Sequence, residues 1–469
     1  MGTRGDDVRA NRVRRTLVGA IAVVGLALAA VGCTDGSDGP RPKPPTSSTP
    51  EAVTHLTFGV YGPPAQTVAF RSTVDQWNGL TDGPEVNLKV WDTHEEFRRA
   101  IESGTDLPDV FLTSRTDLRW LLDNHLTQPV DELLDERGVD FGDGYSRDAL
   151  QAFSTEDRLQ CMPYGVSPMV IYYNKQLVNF ARMARRGLDA PDPDSTSWSF
   201  EQFSAAASFA SRAGRGTKGV HIAATLPGLS PFIQSGGGSV FDDAVDPTSL
   251  TFSSDGSKAA LDTTLQVLRN PQVTLDEQQL DEATPLRWFE RGKLGMIAGY
   301  RSLVPELRLV PDLDFDVMAM PSLGSSSTVG DVSGLCLSRK AASIPEAADF
   351  MVHELSVDSV TRVARTGYLA PANLEVALSD TFLQPAREPQ HSTVFNSAVR
   401  NMTFAPLVDT LPALQQAVRP ELERLVYGVG SLDLDEVTQQ IDETSRPILD
   451  PEYSESPEPT ESPESPSAP

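Results

Sequence analysis

Apolar and polar residues alternate in His55-Leu56-Thr57-Phe58-Gly59-Val60, a spacing that predicts a strand with one buried face. Val86–Trp91 repeats the pattern, and Val110-Phe111-Leu112 forms a shorter, wholly apolar run. Between the strands the period changes to that of a helix. Thr93-His94-Glu95-Glu96 has the form of a capping box, Phe97, Ala100 and Ile101 share one face, and Ser103-Gly104 is a stop signal. Ser199-Phe200-Glu201-Gln202 opens a second capped helix, with Phe200, Phe203, Ala207 and Ala210 in register and Gly214 as its expected end. Ser343-Ile344-Pro345-Glu346 opens a third, carrying Ala347, Phe350 and Met351. Strands alternating with helices predict βαβ units and a largely parallel α/β sheet. Ligands of such sheets bind beyond the carboxyl ends of the strands, which here are Tyr61-Gly62-Pro63, Asp92 and Thr113-Ser114-Arg115.

The apolar run Leu17–Val31 is of another kind. Arg9, Arg12, Arg14 and Arg15 precede it and Cys33 follows it, which is the layout of a secretory signal peptide. The run is shorter than the about 20 residues that span a bilayer. Ala30-Val31-Gly32-Cys33 resembles the lipobox of bacterial lipoproteins, with Ala30 where Leu is usual. The resemblance implies that Cys33 takes a diacylglyceryl group and becomes the N-terminus after residues 1–32 are removed. An ordinary signal peptide with an incidental cysteine is the alternative. Residues 33–52, rich in Pro, Ser, Thr and Gly, read as a disordered tether. Residues 450–469 read as a disordered acidic Pro/Ser/Glu tail.

The chain has 469 residues and a net charge of −26. Its first 32 residues carry five Arg and two Asp, a surplus of +3, so the remainder stands at −29. That field disfavours nucleic acid and suits a neutral or cationic small ligand. At about 100–200 residues per domain, the folded part predicts two domains or one bilobal body. Cys161 and Cys336 are a candidate disulfide in an exported chain, or two buried unpaired thiols; spacing alone leaves both open.

Five segments, in order, resemble the extracellular solute-binding proteins of ABC importers, the sugar-binding family that includes maltose-binding proteins. They are Ser103-Gly104 with Leu107-Pro108-Asp109-Val110-Phe111; Met162-Pro163-Tyr164-Gly165 with Ile171-Tyr172-Tyr173-Asn174-Lys175; Ser197-Trp198-Ser199-Phe200-Glu201-Gln202-Phe203; Phe289, Gly292-Lys293 and Met296 with Gly299-Tyr300-Arg301; and Gly367-Tyr368-Leu369-Ala370-Pro371. The resemblance implies a two-lobed, periplasmic-binding-protein-like (Venus-flytrap) α/β fold with crossing hinge strands. Lobe 1 would hold 53–162 and 337–390, and lobe 2 would hold 167–332 and 395–449. It further implies a monomer without cofactor or resident metal, closing on a small solute, a sugar first, and docking on a membrane permease. It places Cys161 and Cys336 on neighbouring crossing strands, which favours their disulfide.

A sugar site needs polar groups for the hydroxyls and flat apolar faces for the ring. From the first lobe the expected ligand groups are Tyr61, Asp92, Ser114 and Arg115, and from the hinge Tyr164 and Ser167. From the second lobe they are Gln234, Gly237, Tyr300 and Arg301, although the triplet Gly236–Gly238 also suits a plain turn. The segment Leu226–Ser230 has no aromatic residue where maltose binders often carry one, which points to a small or modified saccharide rather than a long stacked one. A lipid-anchored receptor for a non-sugar solute is an alternative. A cell-surface glycoside hydrolase is another, but no motif isolates its two carboxylates, and neither G-x-S-x-G, H-E-x-x-H nor a P-loop occurs.

Overall fold

The computed structural model describes residues 55–80, 83–104 and 107–453. The expected signal peptide, the lipidation site Cys33, the tether to residue 52 and residues 454–469 lie outside the described residues. No helix among the described residues is long and apolar enough to cross a membrane.

Among the described residues thirteen strands form, in chain order, β1 (His55–Tyr61), β2 (Glu85–Trp91), β3 (Val110–Ser114), β4 (Thr127–Gln128), β5 (Ser154–Thr155), β6 (Arg158–Leu159), β7 (Cys161–Pro168), β8 (Val170–Asn174), β9 (Lys218–His221), β10 (Leu294–Gly299), β11 (Phe315–Met318), β12 (Thr328–Ser338) and β13 (Met402–Thr403). Seven make one sheet, ordered β13-β12-β3-β1-β2, with β4 and β7 also paired to β12. Four make a second sheet, ordered β11-β8-β10-β9. The parallel pairs are β1–β2, β1–β3, β9–β10 and β12–β13. β12 runs antiparallel to β3, β4 and β7, and β8 antiparallel to β10 and β11. Only part of each sheet is therefore parallel. The strands that link the sheets run against their neighbours.

The sequence-predicted elements carry informative differences. Thr93 caps its helix by accepting from the Glu96 amide at 3.1 Å, but Glu96 Oε2 accepts from Asp92 N at 3.2 Å, so the box closes one residue early. The Ser199–Gln202 box is complete. Its helix ends at Ala210, four residues before Gly214, because Thr217 Oγ1 takes the Ala210 carbonyl at 2.7 Å and the chain turns into Ala213–Arg215. Ser343 stands at an N-cap position without a side-chain cap bond.

Each sheet buries its own apolar cluster. Phe58, Phe70, Phe97, Phe111 and Phe350 fill the first. Phe203, Phe232, Phe252, Leu414 and Ile441 fill the second. Side chains of this size contribute about 1.5–3 kcal/mol each on full burial, which is why the helices that carry them hold to the sheets. Trp91 packs on Phe97, with ring centres 5.2 Å apart, and so belongs to this packing.

β7 and β12 pair from Pro168↔Gly330 to Cys161↔Cys336, with a register shift between Ser333 and Gly334. Cys161 and Cys336 are joined by a disulfide, with Cα atoms 4.4 Å apart, both fully buried. The chain leaves β7 at Pro168 and enters β8 of the other sheet two residues later. A third link runs beside β7, where Val166 N donates to Ala370 O at 2.8 Å and Ala372 N to Tyr164 O at 2.9 Å. Packing here is tight. A Cβ at Gly330 would strike Met402 Sδ and the Ser167 carbonyl.

Candidate functional site

β3 ends at Ser114 because the chain turns there into the 3-10 segment Arg115–Asp117, capped by Ser114 Oγ on Thr116 N at 3.1 Å. The turn carries Arg115 away from the strand towards Ala152 and Ala405. Its Nε donates to Ala152 O at 3.0 Å, its Nη1 donates to Ala405 O at 2.7 Å, and its guanidinium lies 4.9 Å from the Phe404 ring centre. Arg115 thus ties the first sheet to the segment after β13. From the second sheet come the helix Leu226–Ser235 and the residues following β10.

These elements enclose a cavity of about 190 Å³. Arg115 and Thr116 form one wall, and Leu226, Pro227, Ser230 and Gln234 the opposite one. Val329, Gly330 and Asp331 of β12 lie between them, and Tyr300, Phe241 and Phe404 bring ring surfaces. Gln234 is fixed by two hydroxyls: its Oε1 accepts from Ser327 Oγ at 2.9 Å and from Thr403 Oγ1 at 2.7 Å. A larger space of about 740 Å³ adjoins at Arg115 and Phe404 and is bordered by Gln151, Glu156 and Asp246.

Asp331 is the electrostatic centre. Burial pushes its carboxyl up to about 6, against hydrogen bonds from Ser114 and the Val332 amide. Its charge acts on groups from both sheets. Burial and Asp331 together raise the Tyr61 hydroxyl far above its ordinary value and the Tyr300 hydroxyl to about 12. Burial lowers the Arg115 guanidinium to about 10, and Asp331 opposes that shift. Behind Asp331 lies a second carboxylate that is fully engaged. Asp117 accepts from Arg98 at 2.7 Å and Thr113 at 2.5 Å, and His94 Nε2 lies 2.6 Å away. Burial lowers His94, but the hydrogen bond and charge of Asp117 outweigh it and raise it overall. Asp117 itself is held low by His94, Thr113 and Arg98 in spite of its burial. Asp117 is thus engaged by partners of its own, and among the described residues Asp331 is the carboxylate lining the 190 Å³ cavity.

Of the sequence-predicted residues, Arg115, Gln234 and Tyr300 line the cavity. Ser114 lies opposite Ser333, two residues from Asp331 on β12, Ser167 lies opposite Asp331 in the β7–β12 register, and Tyr61 stands within its electrostatic reach, packed on His94 and Phe97. Four are placed elsewhere. Asp92 is exposed outside the cavity, and Gly237 is an exposed turn residue with φ +88°. Tyr164, 1% exposed, points into the first core, its ring 5.8 Å from that of Phe70. It is the extra residue of β7 at the register shift, between Pro163 opposite Gly334 and Gly165 opposite Ser333. Arg301 is fully buried between Phe382 and Phe395, at 4.7 and 5.0 Å from the ring centres, and binds the Gly367 and Phe382 carbonyls. It is a structural tie.

Sequence reasoning missed Asp331, Phe241 and Phe404. Phe241 and Phe404 lie outside any periodic segment. Asp331 interrupts the apolar run Val332–Leu337 at its start, and a charge entering a buried strand was the available signal.

The chain matches the family described as bacterial extracellular solute-binding protein over residues 73–389. No curated protein matches it. Among solved structures, the ABC substrate-binding protein Lmo0181 from Listeria monocytogenes, in complex with cycloalternan, superposes with a TM-score of 0.71 at 18% identity, covering 85% of this chain and 99% of that one. The GacH receptor of Streptomyces glaucescens, solved unliganded and with acarbose, gives 0.66 at 16% identity, with 86% and 100% covered. The maltose-maltodextrin binding protein of Alicyclobacillus acidocaldarius gives 0.63 at 18% identity, with 84% and 100% covered. At these identities the likeness is one of fold. The α/β architecture with linked sheets and the family match over two thirds of its length together make this chain a bacterial extracellular solute-binding protein, a receptor and not an enzyme.

Proposed function

We propose that this receptor captures a saccharide between its two sheet-centred halves and hands it to the permease of an ABC importer, while a lipid on Cys33 holds it at the outer face of the cell membrane. The cavity at β12 carries the reading. One carboxylate, a guanidinium and a fixed amide offer acceptors and donors to vicinal hydroxyls, and Phe241, Phe404 and Tyr300 offer flat apolar surface. About 190 Å³ is below the about 300–1,000 Å³ of drug-sized sites, so one sugar unit occupies it, and further units extend past Phe404 into the adjoining space. The solved relatives named above with cycloalternan and acarbose support the carbohydrate class. In this reading 53–162 with 337–390 and 167–332 with 395–449 move as lobes about β7 and β12.

A thermal-shift series with mono-, di- and oligosaccharides tests the reading, because a ligand of the native state raises the melting temperature by mass action. At least one saccharide raises it in the native chain, and Phe404→Ala reduces that rise. No shift with any saccharide, together with a shift for amines or metal ions, contradicts it. Globomycin-sensitive processing and loss of membrane retention in Cys33→Ser test the anchor.

A further inference from the structure

The helix Phe180–Arg185, the residue after it and the turn Ala213–Arg215 bring Arg182, Arg186, Arg212 and Arg215 to one corner of the second half. Arg186 and Arg212 share the Phe209 ring, each 5.3 Å from its centre, and Lys293 Nζ donates to Arg215 O at 3.1 Å. Arg182, Arg186 and Arg215 are exposed, and Arg212 is half-buried. Burial and the charges of the other three hold the Arg212 guanidinium below its ordinary value. None of the ion pairs among the described residues includes any of the four. Asp189, the nearest acid after the helix, takes Gln202 Nε2 instead. In a chain with 65 acids against 39 bases, such a cluster without a carboxylate partner lacks its counter-charge.

The chain carries that counter-charge after Tyr453. Residues 454–469 contain Glu455, Glu458, Glu461 and Glu464, no Lys or Arg, and five prolines. The glutamates recur every third residue. We propose that the segment Ser454–Pro469 docks in cis on the arginine corner, its four glutamates supplying the counter-charge of Arg182, Arg186 and Arg215.

Reach, tethering and net charge favour this occupant over an anionic lipid surface. The helix Leu434–Leu449 that precedes the segment belongs to the same buried cluster as Phe180 and Phe209 of the arginine corner, and sixteen residues extend up to about 53–58 Å. Tethering supplies an effective concentration of roughly millimolar order. A phosphate-bearing membrane would repel the rest of this strongly acidic chain while attracting only the corner.

Amide NMR of the full, ¹⁵N-labelled chain tests the proposal at about 20 mM and about 0.5 M salt, where screening lengths differ several-fold. The signals of Glu455–Glu464 are expected to shift and broaden at low salt in the native chain. They return to free-peptide positions at high salt, in the triple variant Arg182→Gln/Arg186→Gln/Arg215→Gln, and when the four glutamates are replaced by Gln. Identical signals across these proteins and salts overturn the proposal. So does sedimentation with phosphatidylglycerol vesicles that requires the three arginines while the tail signals stay free, which would assign the corner to a lipid surface.

Discussion

Ser167 of β7 lies opposite Asp331 of β12 in the strand register, on the stretch of β12 that lines the cavity. Burial makes the charge of Asp331 costly in the ligand-free fold.

The cost sets a pH dependence. The Asp331 carboxyl lies at about 6 in the fold against an ordinary 3.8. A raised value means that the folded state holds its proton more tightly, so the stability from Asp331 is complete below about pH 4 and is lost as pH rises through about 6. The groups around it, Asp117, His94, Arg115, Tyr61 and Tyr300, modulate the shift without reversing it. Asp331→Asn removes this loss. The ligand-free variant is expected to gain about 2–3 kcal/mol over the native chain at pH 7 and nothing at pH 4, measured by urea unfolding.

Ligand binding runs the other way. Hydroxyls that donate to Asp331 favour its ionised form, so saccharide affinity rises with pH through about 6 and levels off above it. Titration calorimetry from pH 5 to 8 checks this; a flat profile would remove Asp331 from the contact.

Glu354 carries a second pH signature, far from the cavity. It is fully buried on the helix Ile344–Leu355, neither carboxylate oxygen has a hydrogen-bond partner among the described residues, and burial pushes it up to about 8. Its contribution is present below about pH 4.5 and lost as pH rises through 8. Glu354→Gln is expected to match the native chain near pH 4.5 within about 1 kcal/mol and to flatten its fall in stability between pH 4.5 and 8, read from melting temperatures.

Arg301 separates structure from binding. Arg301→Met leaves the Gly367 and Phe382 carbonyls unpaired, at about 1–3 kcal/mol each. The melting temperature should drop by several degrees while saccharide affinity, measured well below it, changes less than about threefold. A large affinity loss in a fully folded variant would return Arg301 to the site.

The disulfide closes a separation of 175 residues. Cys161→Ala/Cys336→Ala should cost about 2–5 kcal/mol, and thiol titration of the denatured, unreduced native chain should find neither sulfur free.

The first sheet was legible because β1, β2 and β3 each carry their own apolar pattern and the intervening helix its own cap. The same logic led to Arg115 and Tyr300, which stand directly after strand ends and line the cavity. It misplaced Tyr164 and Arg301, since a motif fixes a residue's position in the chain and not which face of the strand or turn it occupies. Phe404 was hidden for a further reason: it reaches the cavity only because β13 pairs with Thr328 and Val329, some 75 residues earlier, a contact of two residues that leaves no local pattern. The antiparallel course of β12 was equally invisible, being set by its arrival from the other sheet.

The account turns on Asp331 as the group that receives a saccharide between the two halves. Calorimetric titration of the native chain and Asp331→Asn, at pH 7.5, with the saccharide giving the largest thermal shift, tests it most directly. The account predicts at least a tenfold loss of affinity, equivalent to about 1.4 kcal/mol, in a variant whose unliganded fold is the more stable of the two. Equal affinity in both proteins would contradict it.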